Sequence, residues 1–149
     1  MARPRPPRIS EKVIQQQIVT LLRGLGAFVY VLGTRRASGD YQGTRQTPGI
    51  PDLYAFIPHR QTATIIPLWV ECKAYGARPT PQQVEFAARC GLASAAHVIG
   101  GLDDVIAWLL ERGVLTPDRV AHYRLPGQPA APAAERVNLL RARWQLVER

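Results

Sequence analysis

The spacing of apolar and polar residues divides positions 10–113 into helices and strands. Ile14, Ile18 and Leu21 recur at i, i+4 and i+7, which places them on one face of a helix. The predicted helices run from Ser10 to about Arg23, from Thr80 to about Cys90 and from Leu102 to Arg112, and the predicted strands are Ala27–Leu32, Leu53–Ile57, Ile65–Lys73 and Ala96–Ile99. This α-β-β-β-α-β-α order predicts an α/β fold with a mixed central sheet flanked by helices.

Capping residues support two of the helices. Ser10 is suited to the N-cap of the first helix. Thr80 is suited to the N-cap of the second, Pro81 to its first helical position, and Gln83 completes a capping box. Capping alone therefore accounts for Gln83.

Alternation in the third strand separates an apolar face from a polar one. The apolar face carries Ile66, Leu68, Val70 and Cys72, and the other face carries Trp69, Glu71 and Lys73. Since the apolar set is expected to face the core, Glu71 and Lys73 should share a cleft, with Cα atoms about 7 Å apart.

The second and third strands are separated by about seven residues, which allows a hairpin. Antiparallel pairing would bring Asp52 opposite Val70 or Glu71. A shift of one residue would turn the Asp52 side chain to the other face, so the register decides whether the carboxylates of Asp52 and Glu71 meet. Gly49, just before Asp52, is expected to let the backbone approach a nucleic acid closely.

Three segments outside this pattern are assigned differently. Residues 1–9 are basic and proline-rich and are expected to form a disordered arm, followed by one domain at 10–117. Residues 34–48 lack periodicity and are expected to form a mobile loop. Residues 118–149 are expected to contain a linker and a C-terminal amphipathic helix whose apolar side suits docking on the domain or on a partner subunit.

The charge balance favours a polyanionic partner. The chain has 19 basic and 11 acidic residues, a net charge of +8, and nucleic acid is the commonest partner of such proteins. General solubility is the alternative explanation. No apolar run approaches the roughly 20 residues needed to span a bilayer, and the N-terminus lacks a secretory apolar segment. We therefore expect a cytoplasmic protein, with Cys72 and Cys90 reduced and buried.

Asp52, Glu71 and Lys73 are the candidate catalytic residues. Hydrolysis of a phosphodiester needs a cation near the phosphate, an activated water and help for the leaving oxygen. Magnesium prefers oxygen ligands and keeps several waters, so two carboxylates and the backbone carbonyl of Cys72 would suffice. Lys73 could orient or help deprotonate the water and neutralise developing charge.

The sequence is also compatible with other functions. Glu71 and Lys73 could form a surface salt bridge, with Asp52 an ordinary turn residue. The chain could be a non-catalytic nucleic-acid-binding accessory protein with a vestigial nuclease site, or a module that binds acidic proteins through its arginines.

Several motifs together resemble the VRR-NUC family of the PD-(D/E)xK nuclease superfamily. They are Ser10-Glu11, Gly49-Ile50-Pro51-Asp52, Val70-Glu71-Cys72-Lys73 and Pro79-Thr80-Pro81-Gln82-Gln83. The resemblance covers about residues 10–110. Departures are the long loop at 34–47 and Cys72 in place of the usual valine, and the family does not describe the chain beyond Pro117.

The resemblance implies a restriction-endonuclease-like fold and a metal-dependent DNA nuclease. By resemblance, Asp52 and Glu71 would bind Mg²⁺ or Mn²⁺, Lys73 would be catalytic, and Gln83 and Glu11 would support the site. Glu11 also suits the helix dipole without any catalytic role. The implied substrate is branched, flap or duplex DNA, the implied assembly is a homodimer, and no nucleotide cofactor is implied.

Further residues are candidates for DNA contacts or for structural roles. The proposed DNA-binding residues are Arg35, Arg36, Arg45 and Arg78. Trp69 could stack on a base, but packing against the first helix is favoured. His97 is expected to pack on its strand, and Asp103 and Asp104 are expected to stabilise a helix N-terminus rather than bind a second metal.

Overall fold

The computed structural model describes residues 9–32 and 47–120. Its elements are α1 (Glu11–Gly24), β1 (Phe28–Val31), β2 (Leu53–His59), β3 (Thr64–Cys72), α2 (Pro81–Leu92), β4 (Ala96–Gly100), α3 (Leu102–Glu111) and a short α4 (Pro117–Val120). The predicted α-β-β-β-α-β-α order is confirmed, with α4 added after it. Residues 1–8 of the predicted arm, most of the predicted loop with Arg35, Arg36 and Arg45, and the predicted linker and C-terminal helix lie outside the described residues.

The four strands form one mixed sheet in the order β1-β2-β3-β4. β1 pairs with β2 and β2 with β3 in antiparallel fashion, whereas β3 and β4 are parallel. Leu53 lies directly across from Val70, so the preceding residue, Asp52, falls opposite Glu71. This is one of the two registers that the sequence predicted, and it brings the two carboxylates to the same end of the sheet.

The hydrophobic core lies between one face of the sheet and the helices α1 and α3. Leu68, Val70 and Cys72 of β3 are buried there, as their alternation predicted. Helix α1 contributes Ile18 and Leu22, which are fully buried. Burying each such side chain stabilises the fold by about 1.5–3 kcal/mol relative to leaving it in water.

Helix α2 lies on the other face of the sheet. Its Phe86 packs edge-on against Trp69 with ring centroids 5.1 Å apart, and the ring of His97 is 5.8 Å from Phe86. The sequence pattern favoured packing of Trp69 against the first helix. That prediction is wrong, because the helix that covers Trp69 is α2. Burial lowers the pKa of His97, in agreement with a packing role.

Side-chain caps fix where the helices begin. Ser10 accepts a hydrogen bond from the amide of Val13 at 3.3 Å, and the predicted capping box of Thr80 and Gln83 is present at the start of α2. Asp104 accepts a hydrogen bond from the amide of Gly101 at 2.8 Å, which accounts for an acidic residue at the start of α3. Within the described residues, no helix has the length and apolar character needed to cross a bilayer.

Candidate functional site

Asp52 lies at the point where the chain enters β2 and is held from two sides. Its carboxylate oxygen Oδ2 accepts a hydrogen bond from the backbone amide of Cys72 at 2.8 Å. Its backbone carbonyl accepts one from the amide of Leu32 at 2.8 Å. Because Cys72 follows Glu71 on β3, the first of these bonds fixes the Asp52 carboxylate beside Glu71.

The turn before Asp52 packs directly on the start of α2. Gly49 has φ of +92°, a backbone conformation that residues other than glycine rarely adopt. A Cβ atom at Gly49 would lie 2.6 Å from the carbonyl oxygen of Gln82. From the sequence, Gly49 was expected to allow a close approach to DNA. In this structure Gly49 instead allows a close approach to α2. The contact places Asp52 and the N-terminus of α2 around the same cleft.

Glu71 is buried, with only 4% of its surface exposed, and is held by α2. Gln83 donates a hydrogen bond from Nε2 to Glu71 Oε1 at 2.6 Å. The same Gln83 side chain accepts a hydrogen bond from the amide of Thr80 at 2.8 Å. Gln83 thus both caps the helix and orients the Glu71 carboxylate. The capping role and the site-supporting role predicted for it from the sequence are therefore compatible.

Lys73 completes the cluster immediately after β3. Its Nζ atom is 3.8 Å from Glu71 Oε1 and 3.9 Å from Glu11 Oε1, and its side chain is largely buried. The amide of Lys73 donates to the carbonyl of Gly100 at 2.9 Å, which anchors the backbone beside β4. Glu11 lies in the first turn of α1, so it both suits the helix dipole and reaches the candidate site.

The electrostatics of the cleft are dominated by two neighbouring carboxyl groups. Burial raises the pKa of Glu71 to about 7, the Asp52 carboxylate adds to the rise, and the Lys73 ammonium group opposes it. A hydrogen bond shared with Asp52 also favours the protonated form. Near neutral pH Glu71 therefore tends to retain a proton that a bound cation would displace.

This donor set fits a hard divalent cation. The described residues contain no group of three or more His, Cys, Asp or Glu side chains arranged around one ion, so Asp52 and Glu71 would supply the side-chain ligands. Such a sparse set suits magnesium, which retains several waters. Burial raises the pKa of the Cys72 thiol, and the nearby Asp52 carboxylate raises it further. The thiol therefore stays protonated, and only the backbone carbonyl of Cys72 is a candidate ligand.

The loop between β3 and α2 carries the remaining described candidates. Arg78, the predicted DNA contact, is exposed there. Tyr75, which the sequence pattern did not single out, is 93% exposed two residues after Lys73. Both residues lie in the segment that joins Lys73 to the start of α2, whereas Arg35, Arg36 and Arg45 lie outside the described residues.

Comparison with solved structures finds one described as a VRR_NUC domain. It is 24% identical to this chain, with a TM-score of 0.48, and the match covers 68% of this chain and 94% of that chain. No model of a known protein family matches the sequence, and no curated protein matches it.

Proposed function

We propose that this protein is a metal-dependent DNA nuclease that hydrolyses phosphodiester bonds. The observation that supports this most directly is the convergence of Asp52, Glu71 and Lys73 in one cleft. Two carboxylates and an ammonium group from β2 and β3 meet there, with Gln83 fixing the orientation of Glu71. A surface salt bridge would not need a glutamate whose pKa is raised by burial and by a second carboxylate.

Each residue has a role in this reaction. Asp52 and Glu71, with the carbonyl of Cys72, would hold Mg²⁺ or Mn²⁺, which would lower the pKa of a bound water and stabilise charge on the phosphate. The Lys73 ammonium group would orient the attacking water and neutralise negative charge that develops on the phosphate. Gln83 and Glu11 hold Glu71 and Lys73 in position from the two sides of the sheet.

The proposed substrate is branched or flap DNA. A homodimer would place two clefts on such a substrate, and the proposed setting is the cytoplasm. The substrate and the homodimer are proposed from the family resemblance and from the net charge of +8, and the cytoplasm is proposed from the sequence pattern. The proposed DNA contacts are Arg78 together with Arg35, Arg36 and Arg45.

A cleavage assay tests the proposal. Plasmid, linear, flap and four-way-junction DNA are incubated with the full chain in Mg²⁺, Mn²⁺ or EDTA. We expect cleavage that EDTA abolishes and that Asp52→Ala, Glu71→Gln and Lys73→Ala each lower by at least about a hundredfold, as expected when a group that stabilises the transition state is removed. Glu111→Gln, which changes an exposed carboxylate on α3, is the matched control and should cleave normally.

The alternative function gives a different result in the same assay. Binding of these DNAs without cleavage in any metal would indicate a nucleic-acid-binding accessory protein with a vestigial site. Cleavage that persists in EDTA or in Asp52→Ala would place the chemistry elsewhere.

A further inference from the structure

One face of the sheet carries a continuous row of aromatic side chains. The row consists of Phe28 and Tyr30 on β1, Tyr54 and Phe56 on β2, and Trp69 on β3. Four of these rings are in contact, with centroids 5.9 Å apart for Tyr30 and Phe56, 5.1 Å for Tyr54 and Phe56, and 4.2 Å for Tyr54 and Trp69. Phe28 lies directly across from Phe56 in the strand pairing. We refer to these five side chains as the aromatic face.

The aromatic face is covered at one end and open at the other. Helix α2 covers the β3 end, where Phe86 packs on Trp69. At the β1 end none of the described helices packs on this side, because α1 and α3 lie on the opposite face. Phe28 is 71% exposed and Tyr30 is 51% exposed. Large apolar side chains left open together on an edge strand mark an interaction surface.

The aromatic face leads directly to the candidate catalytic cleft. Tyr54 lies two residues after Asp52, and Trp69 lies two residues before Glu71, so each pair shares a strand side. A separation of two strand residues is about 7 Å. A strand of nucleic acid with one phosphate at the carboxylates could therefore lay its neighbouring nucleotides along the rings.

The chemistry of the open end favours unpaired bases. Its exposed surface is formed by two flat rings on alternate residues. A groove of about 490 Å³ follows the edge of the sheet along β1, where Arg23 at the end of α1 lines it together with Phe28 and Tyr30. Aromatic rings that stack on bases, beside cations that contact the backbone, form the usual surface for single strands. A duplex keeps its base faces stacked inside, so it has no equivalent surface to offer.

We propose that the aromatic face binds the unpaired bases of a single-stranded segment next to the scissile phosphate. This deepens the proposed nuclease function, on which its place in catalysis rests. It narrows the substrate to DNA with a single-stranded portion, such as a flap or a junction with unpaired arms. A fully paired duplex would gain nothing from Phe28 and Tyr30.

The test measures binding and cleavage separately with the full chain. Fluorescence anisotropy in EDTA follows a labelled oligothymidylate of roughly 12 nucleotides, within the range that single-strand-binding domains cover, and a duplex of equal length. We expect the double variant Phe28→Leu/Tyr30→Leu to bind the single strand at least tenfold more weakly and the duplex unchanged. Phe28→Tyr/Tyr30→Phe, which keeps both rings, should retain affinity. Leu92→Ala removes an exposed apolar side chain elsewhere and is the control.

Other outcomes would overturn the proposal. Unchanged single-strand affinity in the leucine variant would exclude stacking. A change from dimer to monomer in sedimentation, without loss of single-strand affinity, would make this surface an interface between copies of the chain. Anisotropy in EDTA measures binding without cleavage. Absence of cleavage in the assay with metal would therefore contradict the nuclease function and would not contradict the proposed binding surface. With cleavage present, the leucine variant should lose the preference for flap over duplex substrate.

Discussion

A single glutamine links helix capping to the candidate chemistry. Gln83 accepts a hydrogen bond from the amide of Thr80 and donates one to Glu71. Its position in the sequence predicted the first bond completely, because a capping box is a local pattern. The second bond depends on how α2 sits on the sheet. Residues that orient a metal ligand in this way commonly affect activity by about 10- to 100-fold.

Two substitutions separate the roles of Gln83. Thr80→Ala removes the other half of the capping box and should lower the free energy of unfolding by about 1 kcal/mol. Gln83→Leu should cost a similar amount of stability but should also lower the cleavage rate by about tenfold or more, since it leaves Glu71 without its amide partner. Urea unfolding and initial cleavage rates in Mg²⁺ measure the two effects. Equal cleavage rates in the two variants would contradict the orienting role.

The raised pKa of Glu71 makes stability depend on pH in the metal-free protein. The folded-state pKa is about 7, against an ordinary value of 4.5 for a glutamate side chain, so the folded state binds the proton more tightly than the unfolded state. The free energy of unfolding should therefore fall as the pH rises from about 4.5 to about 7 and level off above that. Urea unfolding in EDTA measures this. Glu71→Gln should lack this contribution, and a slope identical to that of the unmodified protein would refute it.

Metal affinity should change with pH in the opposite direction. A ligand must lose its proton before it binds a cation, so affinity for Mn²⁺ should rise as the pH increases towards 7 and then level off. Isothermal titration calorimetry in two buffers of different ionisation enthalpy would also detect proton release on binding below pH 7. Affinity that is independent of pH over this interval would indicate that Glu71 is not a ligand.

At the scale of elements, one turn positions Asp52, a proposed metal ligand. Gly49→Ala would place a Cβ atom 2.6 Å from the carbonyl oxygen of Gln82 in a residue with φ of +92°. The turn and α2 would have to separate, and Asp52 would move with the turn. We expect loss of about 1–3 kcal/mol of stability and a clear fall in cleavage rate.

Gly113→Ala provides the matched control for Gly49→Ala. Gly113 has φ of +70°, but its added Cβ would meet the ring of His59 at an ordinary distance of 3.7 Å, and His59 lies at the end of β2 opposite to Asp52. The substitution should therefore carry the backbone strain without the clash, and should lower the melting temperature while leaving cleavage unchanged. If both variants cleave equally well, the packing of the turn on α2 does not position Asp52.

The faces of β3 could be predicted from local spacing, and the strand register could be predicted to within one residue. The length of the turn and the alternation of β3 brought Asp52 opposite Glu71. The predicted strand ended at Ile57, whereas β2 continues through Pro58 to His59, although proline cannot donate a ladder hydrogen bond. Pro58 is tolerated because β1 pairs with β2 only as far as Phe56. The extent of one strand thus depends on where its neighbour ends.

Packing between distant segments was not predictable from the local pattern. Trp69 was expected against the first helix, but Phe86 of α2 covers it. The approach of Gly49 to Gln82 and the open aromatic face likewise depend on the side of the sheet that α2 occupies. Apolar periodicity shows that a helix is buried on one side, and it does not say against which face of the sheet.

At the scale of the whole molecule, the positive charge is unevenly distributed along the chain. The described residues contain eight of the 19 basic and eight of the 11 acidic residues, so they carry no net charge. The net charge of +8 therefore belongs to residues 1–8, 33–46 and 121–149. The folded domain supplies the candidate chemistry, while the general attraction for a polyanion must come from these other segments.

This distribution predicts which arginines control the salt dependence of DNA binding. Neutralising Arg35, Arg36 and Arg45, the proposed DNA contacts in residues 33–46, to Gln should weaken binding to any DNA. It should also reduce the magnitude of the slope of log affinity against log salt by about 0.7–0.9 for each phosphate that no longer pairs with an arginine. Neutralising Arg60, Arg112 and Arg119, three exposed or half-exposed residues of the described domain, is the matched control. Anisotropy in EDTA at several salt concentrations measures both slopes. Because the two triple variants have equal net charge, a larger effect of the first set would locate the arginines that bind phosphates, whereas equal effects would mean that overall charge alone attracts the DNA.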